Sequence, residues 1–257
     1  MPRITSGDGV GLHYLDEGSG PVTVLVHGYG APAAGWAPQQ SALVAAGQRV
    51  LAFDRRSHGE SDNPAYGQRM ARHGADLAEF LDTLDVRDAL LVGASMGANV
   101  IWAYIDLFGT GRVRGVVSVD QTPKMINTDD WVHGFYGLTP QNAGTFFDHG
   151  IPATGRGNPP YTEEVAALVA AAPGPGPETR PLLRDHAFQD WRDVVARADV
   201  PILFLAGRDS QFWPCEHAAA AADLSPKATA TVIDDCGHVV TADQPGRLSE
   251  ELVAFAR

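Results

Sequence analysis

Short apolar runs recur along the chain, and they are separated by turn residues and by longer segments with helical spacing. Apolar runs of this length predict buried strands, and their alternation with helices is typical of a mainly parallel sheet with helices on both faces. We predict such strands at 22–26, 49–53, 89–92, 115–119, 202–205 and 230–233. Helices are predicted near 37–46, 69–84, 97–108, 216–223 and 244–256. The pattern therefore indicates an α/β fold.

Two parts of the chain depart from this alternation. A strand over 10–15 is predicted to pair with 3–6 in an N-terminal hairpin, because a glycine-containing turn separates them. The segment 122–198 is rich in glycine, proline and aromatic residues. Long connections that are too aromatic to be disordered are usually functional, so we predict a helical cap over one end of the sheet. The predicted organisation is a core of 1–121 and 199–257 with this cap inserted.

Composition and charge narrow the class of protein. The chain has 257 residues and 44% hydrophobic residues, which suits one α/β domain. Its 31 acidic and 19 basic residues give a net charge of -12, which argues against nucleic acid and anionic membrane partners. No apolar stretch is long enough to span a membrane, and the first residues lack a signal-peptide pattern, so a cytoplasmic location is expected. Two cysteines predict no disulfide framework, although whether Cys215 and Cys236 approach each other stays open.

The segment Gly93-Ala94-Ser95-Met96-Gly97 has the form G-x-S-x-G at the junction of a predicted strand and a predicted helix. A serine on such a sharp turn projects its hydroxyl from the end of the sheet, and small flanking residues permit the turn. Ser95 is therefore a candidate nucleophile. The alternative is that small residues only pack a helix against the sheet, so the hypothesis needs a base, an acid and an oxyanion site elsewhere in the chain.

A serine hydroxyl needs a base, commonly a histidine whose tautomer is held by a carboxylate. Of the nine histidines, His238 is the best candidate, because it follows the strand predicted at 230–233. The acid is expected between the nucleophile and the base in the chain. Asp209, in the loop after the strand 202–205, is ranked first, and Asp120, at the end of 115–119, is the alternative.

An oxyanion site needs two backbone donors aimed at the developing charge. The N–H of Met96, directly after the candidate nucleophile, is expected to be one donor. The strand 22–26 leads into His27-Gly28-Tyr29-Gly30, so the N–H of Tyr29 is expected to be the other. His27 is a possible rival base, but its position favours a role in supporting this loop.

Taken together, these motifs resemble the α/β-hydrolase superfamily, in its group of small esterase-, lactonase- and haloperoxidase-like members. The similarity rests on the four segments 24–30, 53–62, 92–98 and 205–209, and on Cys236-Gly237-His238, in this order along the chain. It covers nearly the whole chain except the predicted cap. The resemblance implies the same roles for Ser95, Asp209 and His238 as a triad, and for Tyr29 and Met96 as oxyanion donors.

The resemblance also has one departure and one exclusion. Ser57 stands where the family often has glycine, in a loop that is structural in the family. A serine at the elbow argues against dehalogenase and epoxide-hydrolase relatives, whose chemistry needs a carboxylate nucleophile. The favoured hypothesis is thus a serine hydrolase that cleaves a carboxylic ester or lactone through an acyl-enzyme. The alternatives are a cofactor-free C–C hydrolase, perhydrolase or biosynthetic lyase or cyclase on the same triad, or a ligand-binding receptor.

The substrate is expected to be an apolar or aromatic small molecule, because aromatic residues are frequent in the predicted cap and near the triad. The candidate substrate-binding residues are Trp131, Phe135, Tyr136, Phe146, Phe147, Phe212 and Val239. No histidine or carboxylate spacing predicts a metal site, and the proposed chemistry needs no cofactor. The oligomeric state and the substrate itself are not determined by the sequence.

Overall fold

The computed structural model describes residues 2–152, 167 and 175–257. Within these residues a mixed sheet of eight strands runs in the order β1-β2-β4-β3-β5-β6-β7-β8. The strands are β1 (Arg3–Thr5), β2 (Gly11–Gly18), β3 (Val22–Val26), β4 (Arg49–Phe53), β5 (Ala89–Ala94), β6 (Val113–Val119), β7 (Ile202–Gly207) and β8 (Ala228–Ile233). The first two strands are antiparallel to their neighbours, and β3 to β8 are parallel. The predicted α/β fold is confirmed.

Helices cover both faces of this sheet, as the alternating pattern predicts. They are α1 (Ala37–Ala45), α2 (Met70–Thr83), α3 (Met96–Phe108), α4 (Arg180–Ala187), α5 (Arg192–Arg197), α6 (His217–Ala222), α7 (Val240–Asp243) and α8 (Pro245–Phe255). Alternate strand residues point to opposite faces. In β3, Val24 and Val26 therefore join the core under α2 and α3, whereas Leu25 joins the core under α1 and α8.

The central strands are buried on both faces, which explains their nearly continuous apolar sequence. Every residue of β7 is buried, as are the first five residues of β5. Parallel strands direct their carboxyl ends to the same edge of a sheet. The loops after β3, β5, β6, β7 and β8 consequently meet at one edge, and this edge holds the residues that the sequence analysis singles out.

The region between β6 and β7 contains turns up to residue 152 and the helices α4 and α5 further on. The cap boundaries at 122 and 198 stay a prediction, and much of the central part of this segment falls outside the described residues. A short antiparallel bridge joins Lys124 and Asp190, so the two described parts of the segment contact each other. In the described part of the chain, no helix is both long and apolar enough to cross a membrane.

Candidate active site

Ser95 lies at the sharp turn between β5 and α3. Its φ of 51° and ψ of -133° form a backbone conformation that side-chain-bearing residues rarely adopt. A Cβ on Gly93 would lie 2.4 Å from the backbone nitrogen of Ala98, and one on Gly97 would lie 2.2 Å from the carbonyl oxygen of Val26. The two glycines therefore allow α3 to approach the sheet closely enough to make this turn.

A continuous series of hydrogen bonds connects Ser95, His238 and Asp120. The Nε2 atom of His238 is 3.0 Å from the Ser95 hydroxyl oxygen, and its Nδ1 atom is 2.7 Å from Oδ2 of Asp120. Since the carboxylate accepts from Nδ1–H, the Nε2 atom is left to accept the serine proton. This is the geometry in which an imidazole can act as a base toward a serine hydroxyl.

The Asp120 carboxylate is completely buried and is held from several sides. The Gly207 N–H donates to Oδ1 at 2.9 Å, and the Ser210 hydroxyl donates to Oδ2 at 2.7 Å. The Nε2 atom of His217 lies 3.6 Å from Oδ1, beyond ordinary hydrogen-bonding distance. Burial alone would raise the pKa of Asp120, but the imidazoles of His217 and His238 outweigh it and lower this pKa to about 2. Asp120 is therefore a carboxylate at neutral pH.

The expectation that Asp209 holds the base is wrong. Asp209 is exposed, and its backbone N–H donates to the carbonyl of Cys236 at 2.9 Å. Ser210, one residue further on, is the residue of this loop that is buried against the acid. Asp120 reaches His238 because it directly follows β6 and has a positive φ of 45°, which turns the chain sharply at that point. In the sequence, Asp120 is recognisable as an aspartate at the end of a predicted buried strand, but it is ranked second to Asp209 as the acid.

The two residues expected to supply oxyanion donors, Tyr29 and Met96, line a common cavity with Ser95. Met96 is the first residue of α3, where backbone N–H groups have no partner within the helix. In the loop after β3, the carbonyl oxygen of Gly28 accepts from Nδ1 of His27 at 2.7 Å and from Nη2 of Arg55 at 2.9 Å. Because N–H and C=O point in opposite directions across a trans peptide, this arrangement aims the Tyr29 N–H away from Arg55. A Cβ on Gly28 would lie 3.0 Å from the Cβ of Ser95, so this peptide is adjacent to the hydroxyl.

His27 supports the loop after β3, as its position in the sequence favours. Its Nε2 accepts a hydrogen bond from the backbone N–H of Arg55 at 2.9 Å. The imidazole proton is therefore on Nδ1, which donates to the Gly28 carbonyl. Burial lowers the pKa of His27 well below its ordinary value, which keeps the ring neutral. The buried Arg55 guanidinium also donates to the carbonyl of His27 at 3.1 Å. The sequence analysis did not identify Arg55 as part of this arrangement.

Two cavities adjoin Ser95. The inner cavity has a volume of about 20 Å³, close to the room that one water molecule occupies. The outer cavity has a volume of about 160 Å³ and is lined by His238, Val239 and the loop after β3. Ser95 and Tyr29 line both cavities. Ser95 thus borders both a small cavity and a larger one.

The expected substrate-binding residues are divided by the structure. Phe135, Phe147 and Phe212 line the inner cavity, and Val239 lines the outer one. The other three are not among the residues that line these two cavities: Trp131, Tyr136 and Phe146.

The contacts of those three residues explain their placement. Trp131 donates its indole N–H to Thr122 and to the carbonyl of Lys124, each at 3.1 Å. Phe146 packs edge-on against Phe135, and the backbone N–H of Tyr136 donates to the carbonyl of Phe212 at 2.7 Å. They support the segment between β6 and β7, and aromatic identity alone does not distinguish this role from lining a cavity.

Several residues that line the inner cavity were missed by the sequence analysis. They are the apolar residues Met125 and Leu183, the aromatic residue Trp213, and the polar residues Gln121 and His186. These residues belong to separate parts of the segment between β6 and β7 and to the loop after β7. No local pattern brings them together, so only the folded chain reveals them.

Metal ligation and disulfide chemistry find no support in the described residues. In the part of the chain that the structure describes, no group of three or more histidine, cysteine, aspartate or glutamate residues is arranged to hold a metal ion. Cys215 and Cys236 are both free thiols. Burial raises the pKa of Cys236 to about 12, so this thiol stays protonated at neutral pH.

The fold and the site together are those of an α/β hydrolase, and a sequence model described as "Alpha/beta hydrolase family" matches residues 23–251. The chain belongs to this family. It is 28% identical to a non-heme chloroperoxidase from Streptomyces lividans, and the comparison covers 100% of both chains. It is 26% identical to a bifunctional esterase/perhydrolase from Acinetobacter calcoaceticus, again over 100% of both. An esterase from Exiguobacterium antarcticum shares the fold with a TM-score of 0.86 and 22% identity, over 99% of this chain and 98% of that one.

Proposed function

We propose that this protein is a serine hydrolase that cleaves carboxylic esters or lactones of small molecules through an acyl-enzyme. The observation that carries the proposal is the hydrogen-bonded series from Ser95 through His238 to the buried Asp120. The adjacent N–H groups of Tyr29 and Met96 supply the complementary site for an oxyanion. A relative named as an esterase/perhydrolase is consistent with acyl chemistry on this site.

In the first half of the reaction, the Ser95 oxygen attacks the ester carbonyl while Nε2 of His238 accepts the hydroxyl proton. The carbonyl π electrons move onto oxygen, and the Tyr29 and Met96 N–H groups stabilise that negative charge. Asp120 stabilises the imidazolium that forms. When the tetrahedral intermediate collapses, His238 returns the proton to the alkoxide as the C–O bond breaks.

In the second half, His238 removes a proton from a water molecule whose oxygen attacks the acyl carbon. Collapse of the second intermediate releases the carboxylic acid and returns the proton to Ser95. Because His238 must protonate the leaving alcohol, we place the alcohol in the outer cavity, which His238 lines. The acyl group then extends into the inner cavity, which Met96 and Tyr29 line.

The experiment that tests this proposal compares the wild type with Ser95→Ala on 4-nitrophenyl acetate. We expect kcat/KM to fall by on the order of a millionfold, because triad members act as a unit. Ser225→Ala is a matched control, since Ser225 is also buried but lies just before β8, at the opposite edge of the sheet. A fluorophosphonate should label Ser95 in the wild type. Equal hydrolysis by Ser95→Ala would overturn the proposal.

Perhydrolysis is a second candidate, favoured by the relative named as an esterase/perhydrolase. In that reaction hydrogen peroxide, in place of water, attacks the acyl-enzyme and releases a peroxy acid and free serine. The same assay distinguishes the two activities when hydrogen peroxide is added. Peroxy acid formation that depends on Ser95 supports perhydrolysis, whereas carboxylic acid as the sole product supports hydrolysis.

A further inference from the structure

Gln121 presents an unsatisfied acceptor beside the inner cavity. Its side chain is fully buried, and its Nε2 donates to the carbonyl of Thr122 at 2.9 Å and contacts Sδ of Met125 at 3.3 Å. These contacts orient the amide and leave Oε1 as the remaining polar atom. Among the described residues, Oε1 has no hydrogen-bond partner. Gln121 thus combines a place in the lining of the inner cavity with an unpaired acceptor.

His186 is a second residue that lines this cavity and has an unpaired polar atom. This residue lies in α4, is only 4% exposed, and its Nδ1 has no partner within the described residues. Burial, together with the nearby charge of Arg55, lowers the pKa of His186 to about 3. The imidazole is therefore neutral at neutral pH, and it does not offer a positive charge to an anionic group.

Apart from Ser95, Tyr29 and Trp213, the other residues that line the inner cavity have apolar side chains. They are Met96, Met125, Phe135, Phe147, Ile151, Leu183 and Phe212. A buried polar atom without a partner costs about 1–3 kcal/mol, so most such atoms in native proteins are satisfied. Three lining residues of one small cavity next to the candidate nucleophile carry such atoms, namely Gln121, His186 and Trp213, and this indicates a ligand that brings its own hydrogen-bonding group.

We propose that the inner cavity is an acyl subsite for a short, uncharged acyl group that bears a hydroxyl, as in 2-hydroxyacyl esters. The acyl hydroxyl donates to Oε1 of Gln121 and faces Nδ1 of His186. The volume of about 20 Å³ limits the part of the acyl chain beyond the carbonyl carbon to about two heavy atoms. This inference rests on the proposed function, because it assigns the acyl side of the ester to this cavity.

The test uses two isosteric substrates, the 4-nitrophenyl esters of glycolic acid and propionic acid. Their acyl groups differ only by a hydroxyl in place of a methyl group. The measured quantity is the ratio of kcat/KM for the glycolyl ester to that for the propionyl ester. Comparing this ratio between variants removes the intrinsic difference in reactivity of the two esters.

In Gln121→Met, which keeps the length of the side chain but removes the acceptor, we expect this ratio to fall about tenfold, the value of one hydrogen bond. Gln68→Met is the matched control. Gln68 is also buried, its Nε2 donates to a carbonyl at 2.9 Å, and its Oε1 has no partner in the described structure, yet it does not line the inner cavity. The ratio should not change in this control. His186→Phe provides a second measurement if Gln121→Met does not fold, and its ratio should also fall.

The outcomes separate this inference from the proposed function. Ester hydrolysis that depends on Ser95, with the same ratio in the wild type and Gln121→Met, overturns the acyl-subsite inference alone and indicates that water satisfies Gln121. A ratio that falls equally in Gln68→Met also overturns it. No Ser95-dependent turnover of either ester overturns the proposed function and this inference together. A fall confined to the variants of the cavity supports both.

Discussion

The loops after β6 and β7 each contain an aspartate at the same edge of the sheet, yet only one of the two is part of the site. Asp120 directly follows β6, is fully buried and bonds to His238. Asp209 follows β7 after one intervening residue, and it is exposed. The last residue of β7 instead contributes the Gly207 N–H to the carboxylate of Asp120, and the loop after β7 contributes the Ser210 hydroxyl.

This difference shows that a position at the correct edge of a sheet does not determine where a side chain points. Asp120 has a φ of 45°, which turns the chain immediately after β6. At the end of β7, the backbone N–H groups of Arg208 and Asp209 donate to the carbonyls of Ile233 and Cys236. These bonds continue the contact of β7 with β8 and with the loop that follows β8. The next residue, Ser210, is the one that is buried. Three predictions test this division of roles.

The largest effect is expected from Asp120→Asn, which keeps the shape of the side chain but removes its charge. We expect kcat on 4-nitrophenyl acetate to fall by on the order of ten-thousandfold, because the amide no longer stabilises the imidazolium of His238. Asp209→Asn is the matched control and should leave kcat unchanged. Steady-state kinetics on both variants, with circular dichroism to check folding, makes the comparison. A large loss in Asp209→Asn, with little loss in Asp120→Asn, would reverse the assignment.

The second prediction concerns the stability of the folded protein in acid and asks which of the two carboxylates contributes to it. The pKa of Asp120 is lowered from its ordinary value of 3.8 to about 2 in the folded protein, so the folded state binds fewer protons than the unfolded state. Its contribution is complete above pH 4 and is lost as the pH falls toward 2, and it amounts to about 2 kcal/mol. Urea unfolding between pH 2 and pH 6 should show this slope in the wild type and in Asp209→Asn. Asp120→Asn should show a shallower slope, and identical slopes in all three proteins would contradict the prediction.

The smallest effect is expected from Ser210→Ala, which removes one donor from the Asp120 carboxylate. A hydrogen bond to a charged group is worth about 1.5–3 kcal/mol, of which we expect about half to appear in catalysis, so kcat should fall about tenfold. Ser210→Thr keeps the hydroxyl and should restore most of the activity. The measurement is kcat as a function of pH for the three proteins. If alanine and threonine variants were equally impaired, the hydroxyl would not be responsible.

Most of the fold could be predicted from local patterns. The strands at β3 and β4 were predicted with the bounds that the structure shows, because short apolar runs bounded by turns have few other interpretations. The pairing of β1 with β2 was also confirmed. The candidate nucleophile was visible because Gly93 and Gly97 are needed within a few residues of Ser95, and a requirement this local is readable in one segment.

The partners of the site were less readable because they come from distant segments. Gln121 and His186 lie on one cavity although 64 intervening positions separate them in the chain. Arg55 lies in a loop that the sequence analysis treats as structural, yet its guanidinium holds the Gly28 carbonyl. Trp131 and Phe135 have similar sequence contexts, and only Phe135 lines the inner cavity. Such distinctions depend on packing between segments, which no local pattern encodes.

The sequence by itself determined the α/β architecture, the strained turn at Ser95 and the candidate base His238, because each depends on residues that are close together in the chain. The tertiary structure decided that Asp120 holds this base and that Asp209 faces solvent. It also decided which aromatic side chains line the cavities. These outcomes depend on the direction in which each chain leaves its strand and on the neighbours that it meets there, so they are set by the packing of the whole sheet edge.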